Sequence, residues 1–436
     1  MEALVLFLIW TSASAAAGAP DAEPELLLVH TGSVLGSLRD LFESGSGSDL
    51  TLRVQTSDLD QVEILPVHAL VLTIHSPVFG HMIQSRKSPV LELTESPEAV
   101  AVFGKFIRYL YTGVLLLHQR EALSLHRLSC KFNVSSLRQG LEEHMAQVLD
   151  SDWPGALVTS WLEYAVQTGQ PWLHERCIST LALNLYALLQ SGGFARLSTD
   201  LLLDLLSRSD LVLYSELDLF HAVQTWIQTN DPDGLTAENA LRNIRYAMIP
   251  PQDLFQIQAL SPVLQRYQDS VRDLLLWSFQ FHSGSPRSTG GRYLDLNCSL
   301  FIPRVYLGPD WGQAWTITDA RQDQHSLSLQ TQLGPSGSDR FRRVQWNVRY
   351  SPMWSTSRPT PSWSPAHISV TPAAAAPELS GILFHKSLLL VGPGNCSLRL
   401  CHFHLSSSEN PDCLKTQDRD QIQVHLVIRP VYHGLN

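Results

Sequence analysis

Ser96-Pro97-Glu98-Ala99-Val100-Ala101-Val102-Phe103-Gly104-Lys105-Phe106-Ile107-Arg108-Tyr109-Leu110-Tyr111-Thr112-Gly113 is the stretch from which the front of this chain can be read. Serine can accept an N–H of the first helical turn, and proline at the next position lacks an N–H that would have had no partner there. Phe103, Phe106, Ile107 and Leu110 then fall at helical spacing, and Gly113 stops the helix. Upstream, Leu50, Leu52 and Val54 alternate with Thr51 and Arg53 as in a half-buried strand. Glu63–Val67 and Val90–Leu93 read as two more short strands, and Ser76-Pro77 repeats the serine–proline helix start. Residues 48–147 are therefore predicted to form a small α/β unit.

Four pieces of this unit carry a resemblance: Ser48-Asp49-Leu50-Thr51-Leu52, Val67-His68-Ala69-Leu70-Val71-Leu72, Ser76-Pro77-Val78-Phe79 and Tyr109-Leu110-Tyr111-Thr112-Gly113. Their order and spacing resemble a BTB/POZ domain, with bounds set at 35–149. The resemblance implies dimerisation and partner docking. On that pattern His68 is a structural histidine opening a helix, not a catalytic base. Position 69 is Ala where many members have Arg, so the charged groove of the transcription-factor members is not implied.

Residues 151–280 read as wholly helical. Ser215 is placed as an N-cap with Asp218 at the third helical position, and Leu219, Ala222, Val223 and Trp226 form one stripe. Asp210-Leu211, Ala222-Val223-x-x-Trp226 and Ile244-Arg245-Tyr246-x-x-Ile249-Pro250 resemble a BACK domain, bounded at 150–281. HSGSPRSTGGR, residues 282–292, has linker composition. Beyond it, Arg304–Leu307, Ser326–Gln330, Val344–Tyr350, Ile382–Leu390 and Ile422–Ile428 are short runs separated by Pro, Gly and Ser. They predict an antiparallel β-sandwich over 293–436, with Met353–Pro377 as a mobile insertion. Ile302-Pro303-Arg304-Val305-Tyr306 and Val427-Ile428-Arg429-Pro430-Val431-Tyr432 look like the C-terminal region of the galectin-3-binding protein family. That resemblance implies a TRAF-like last domain. The expected class is α+β multidomain: α/β BTB/POZ, all-helical BACK and a C-terminal antiparallel β-sandwich.

The 436 residues carry a net charge of −10, which argues against a broad basic nucleic-acid surface. Residues 283–436 hold 14 Lys+Arg against 10 Asp+Glu, so the acidity lies in the front. Ala3–Trp10 is an apolar run followed by small residues to Ala19, the pattern of a secretory leader over residues 1–19. No later run suits a membrane span. In an oxidising compartment Cys298, Cys396, Cys401 and Cys413 suit two disulfides, with three connectivities open. Cys130 and Cys177 read as small buried hydrophobes. Asn133, Asn297 and Asn395 each begin an Asn-x-Ser glycosylation acceptor.

No P-loop, dinucleotide fingerprint, nucleophile elbow or metalloprotease motif occurs. Cys396, Cys401, His402, His404 and Cys413 match no common zinc spacing, and disulfides suit an exported chain better. Arg340-Phe341-Arg342-Arg343 reads as a solvated strand face. The expectation is a secreted, glycosylated, non-enzymatic scaffold with no cofactor and no metal. Its expected partners are itself, as a BTB homodimer or higher oligomer, and extracellular proteins, including lectins through its glycans. The alternative is an intracellular substrate adaptor for a cullin ubiquitin ligase, against which stand the leader and the short loop from His81 to Pro89.

Overall fold

A computed structural model describes residues 31–283, apart from 58–59, 87 and 152–155. It also describes residues 298–431, apart from 318–324, 333–342, 352–366, 374–382, 392–396 and 404–421. The expected leader, most of the expected linker, Asn297, Asn395, Cys396 and Cys413 lie outside the described residues. The chain divides into two compact units, one up to Arg138 and the other from Gln139 onward.

The first unit holds three strands, β1 (Leu50–Gln55), β2 (Val62–Val67) and β3 (Val90–Thr94), in the order β2-β1-β3. Antiparallel β1 and β2 set Leu52 opposite Leu65, while β3 runs parallel to β1 with Leu91 opposite Leu52. A parallel neighbour needs a crossover, supplied here by the helices Ala69–His75 and Pro77–Gln84. Both serine–proline starts form as expected. Phe79 N–H donates to Ser76 Oγ at 3.1 Å, Ala99 N–H donates to Ser96 Oγ at 3.4 Å, and Gly113 ends helix Pro97–Thr112 at φ 64°. Leu50, Leu52 and Val54 face a core in which Phe79 stacks on Phe132 at 4.3 Å, with Phe103 and Phe106 against the same ring.

The second unit begins as a helical array that includes Pro171–Leu183, Thr199–Ser207, Glu216–Asn230, Gly234–Arg242 and Gln268–Ser283. The array is not wholly helical: Val212–Leu213 forms a two-residue strand, β4. Asp218 N–H donates to Ser215 Oγ at 3.2 Å, and Leu219, Val223 and Trp226 are buried as the stripe requires. The last helix runs through Ser283 with His282 buried, so the stretch of linker composition starts inside a helix.

The rear of this unit is antiparallel β, as the short runs predict. After β5 (Val305–Tyr306) come β6 (Gly312–Ile317), β7 (His325–Gln332), β8 (Arg343–Ser351) and β9 (His367–Pro372). They are followed by β10 (Leu383–Val391), β11 (Ser397–Phe403) and β12 (Ile422–Val431). One sheet has the order β11-β10-β12-β6 and the other β7-β8-β9. Trp346 meets Phe384 edge-on at 5.0 Å between them, and its indole N–H donates to Thr331 Oγ1 at 2.8 Å. Buried Lys386 donates to the Val370 carbonyl at 2.6 Å, and burial lowers its pKa to about 8. Part of the expected insertion is structured: β9 falls within 353–377 and pairs with β8. Its proline- and serine-rich flanks hid the strand, since alternation runs for only His367–Pro372. Gly312 lies opposite Val427, and a Cβ there would overlap the Leu426 carbonyl oxygen.

Candidate association surfaces

His68 is held at both ring nitrogens. Nδ1 lies 2.9 Å from the Tyr111 hydroxyl and Nε2 lies 3.0 Å from the Ser46 carbonyl oxygen. Its backbone N–H donates to the Tyr111 oxygen at 2.7 Å, while the next N–H, of Ala69, donates to Asp49 at 2.8 Å. Burial and the neighbouring Asp49 charge raise the Tyr111 pKa, so the phenol stays neutral. The constellation fixes the start of helix Ala69–His75; both ring nitrogens are committed to that task.

What the first unit offers partners is apolar surface. Leu70 and Ile74, one turn apart on that helix, are 71% and 66% exposed, and Ile64 on the edge strand β2 is 63% exposed. A groove of about 670 Å³ opens beside helix Pro97–Thr112, lined by Arg39, Lys105, Arg108, Val114, Leu116 and His118 among others. Lys105 is paired with Glu121 at 2.8 Å and Arg108 with Glu43 at 3.2 Å. The groove's distinctive feature is therefore the apolar run Val114–Leu117, whose Leu116 is 84% exposed.

Asn133 is exposed at the turn after helix Ala122–Lys131, with φ 50°. Its N–H donates to the Cys130 carbonyl and the Val134 N–H to the Ser129 carbonyl at 2.8 Å, a Schellman closure whose left-handed position favours glycine or asparagine. Asn133 thus has a backbone task besides its place in a glycosylation acceptor. Ser135→Ala is expected to abolish modification of Asn133 without changing thermal stability. Asn133→Gln is expected to abolish it at a cost of about 1 kcal/mol. Glycosidase mobility shifts and melting curves on both variants check this. Cys298 is a free, half-buried thiol in the structure, and Cys401 lies in β11. Cys177 is buried, which raises its thiol pKa to about 12, whereas Cys130 is half-buried with its sulfur 3.9 Å from the His126 ring. Among the described residues no group of three His, Cys, Asp or Glu could hold a metal ion.

The densest charge in the second unit is internal. Glu216, the first residue of helix Glu216–Asn230, is 1% exposed at the positive end of the helix dipole. One carboxylate oxygen accepts the Arg245 backbone N–H at 2.9 Å and lies 3.3 Å from Arg304 Nη1. The other accepts the Tyr306 hydroxyl proton at 2.7 Å. Arg304 donates to the Leu206 and Asn243 carbonyls at 2.6 and 3.0 Å. Arg245 donates to the Ile302 carbonyl and to Ser209 Oγ, the latter at 2.7 Å. Arg429 donates to the Pro303 and Ser209 carbonyls at 3.0 and 3.3 Å. Burial, reinforced by the Arg304 charge, lowers the Arg245 pKa to about 10; burial also lowers that of Arg429. Burial and then Glu216 hold the Tyr306 phenol well above its ordinary pKa. Arg304, Tyr306 and Arg429 belong to the two motifs quoted from the rear of the sequence. Local periodicity gave no signal for this cluster, because a charged residue between apolar neighbours reads as an exposed position.

Models of known families match in the same order as the structure. BTB/POZ domain matches residues 38–149, BACK (BTB And C-terminal Kelch) residues 158–259, and the BTBD17 TRAF domain residues 301–369. BTB/POZ domain-containing protein 17 of Homo sapiens is 40% identical over 434 residues, covering 93% of this chain and 90% of its own length. Its counterpart from Xenopus tropicalis is 38% identical, covering 94% and 93%. Galectin-3-binding protein of Bos taurus is 28% identical over 324 residues, covering 74% of this chain and 57% of its own length.

Proposed function

Because this chain belongs to the BTB/POZ domain-containing protein 17 family, we propose that it is an exported, N-glycosylated, non-enzymatic scaffold. It self-associates through its BTB domain and binds extracellular partners through its rear domain or its glycans. The exposed acceptor at Asn133, on a chain whose first nineteen residues have the pattern of a secretory leader, carries the reading. The exposed apolar residues of helix Ala69–His75 and strand β2 support self-association through the first unit. Likeness to a galectin-3-binding protein makes lectins, reached through N-glycans, the partner class to try first. Disulfides among Cys298, Cys396, Cys401 and Cys413 belong to the same proposal.

Expression of the intact chain in mammalian cells tests it. The expected result is protein in the medium, cut after Ala15 or Ala17 within the leader, with a mobility that shifts on deglycosidase treatment. Protein retained in the cytosol with unshifted mobility overturns it. The succession of BTB and BACK domains favours one second reading, a cullin-ligase adaptor. Co-purification of a cullin from cytosol, lost on substitution near Phe79–Ile83, would establish that reading instead.

A further inference from the structure

A linker composed like residues 282–292 ordinarily lets two domains tumble independently. The second unit contradicts that expectation, and the residues responsible come from both sides of the linker. β5 has β4 as its strand partner, with Val305 beside Val212 and Tyr306 beside Leu213 in parallel. The N–H groups of Val305, Leu307 and Gly308 donate to the carbonyls of Leu211, Leu213 and Tyr214 at 3.1, 2.8 and 3.2 Å. Each of these domains therefore supplies the strand that completes the other.

Two further layers surround this short ladder. One is apolar: Phe301 meets Phe281, the antepenultimate residue of the last helix, at 5.0 Å, and Leu300, Phe301, Val305 and Tyr306 are all at most 3% exposed. The other is the arginine cluster, whose hydrogen bonds cross in both directions. Arg304 reaches back to carbonyls of the helical domain, Arg245 reaches forward to the Ile302 carbonyl, and Arg429, at the far end of the rear domain, reaches the Ser209 carbonyl. Buried ion pairs add little net affinity, because desolvation offsets attraction; removing one partner is costly because it strands a charge. The ladder and the apolar contacts therefore supply the adhesion. The guanidinium groups supply the register, since a one-residue slip would take them off their carbonyls and off Glu216.

We propose that residues 298–308 and Arg429 form a docking surface whose partner is the helical domain of the same chain, at residues 206–216, 243–246 and Phe281. The rear domain stays seated there in one orientation without help from the connecting segment. The seam uses a hydrophobic surface, backbone donors and buried guanidinium groups hydrogen-bonded to carbonyls, the combination of an obligate interface and not of a tethered pair.

The test uses the full-length chain with a site-specific protease sequence substituted into residues 285–290. After complete cleavage, in reducing buffer at physiological salt, the front and rear fragments are expected to co-elute on size exclusion as one species at micromolar concentration. Separation of the fragments in that buffer overturns the proposal. Co-elution that disappears only on reduction also overturns it, since a disulfide would then be the link. Glu216→Gln in the cleavable chain is expected to release the rear fragment at least tenfold faster. Retention unchanged from the parent removes the register role of the cluster. If Glu216→Gln prevents folding, Arg429→Met, which strands no carboxylate, makes the same comparison with the same two readings.

Discussion

Glu216→Gln is expected to destabilise residues 139–436 by about 3–5 kcal/mol. The substitution is nearly isosteric and keeps one carbonyl oxygen, so packing is not what is lost. The carboxylate that faces Arg304 is removed, leaving Arg245, Arg304 and Arg429, at 2%, 1% and 6% exposure, with backbone carbonyls, the Ser209 hydroxyl and the Asp210 charge as their remaining partners. The amide must also face the Tyr306 hydroxyl and the Arg245 N–H, both of which now donate to carboxylate oxygens. Denaturant unfolding followed by tryptophan fluorescence reads the loss, with Trp311 5.4 Å from Tyr306 at the seam and Trp226 buried on the helix that Glu216 begins. A double variant, Glu216→Gln with Arg304→Met, is expected to recover part of the loss, because it removes a stranded charge along with its partner. Full additivity of the two single substitutions would mean that Glu216 and Arg304 are not coupled through their 3.3 Å pair.

Phe132→Ala is expected to cost the first unit about 3–5 kcal/mol. Its ring is fully buried, stacked on Phe79 with planes 9° apart, and touched by Phe103 and Phe106. Its carbonyl accepts the Ser76 hydroxyl proton at 2.5 Å, and Ser76 in turn caps helix Pro77–Gln84. The cavity would thus sit between the crossover helices and helix Pro97–Thr112, where no side chain can collapse into it without leaving its own contacts. Hydrogen exchange is expected to show protection falling together across β1, β2, β3 and helix Pro97–Thr112. Self-association should weaken in parallel, since Leu70 and Ile74 ride on a crossover helix packed on the same core. Undiminished association in a variant that has lost this protection would move the contact surface elsewhere.

Much of the first unit was legible because its signals are local. The serine–proline starts, the glycine stop after Thr112 and the alternation of β1 each act within a few residues and survive in the structure. The seam was not legible by the same means. β4 and β5 are two residues long and more than ninety apart, too short for any periodicity to register. Glu216 stands beside an N-cap, where acids are ordinary, so its burial leaves no trace in the sequence. β9 was hidden in proline- and serine-rich surroundings, and β6, GQAWTI, has neither the apolar content nor the alternation of its neighbours. The arginines of the rear motifs were visible only through family likeness, which marked them without saying what they touch.

The seated rear domain changes how copies of this chain would count ligands. With a slack connector, a second bond would form at an effective concentration set by polymer statistics and fading slowly with length. A rear domain that stays seated on its helical base takes the segment at residues 284–297 out of that statistic, so the length of that segment no longer sets the effective concentration of the second bond. Lengthening residues 284–297 with additional glycine and serine should then leave avidity unaltered.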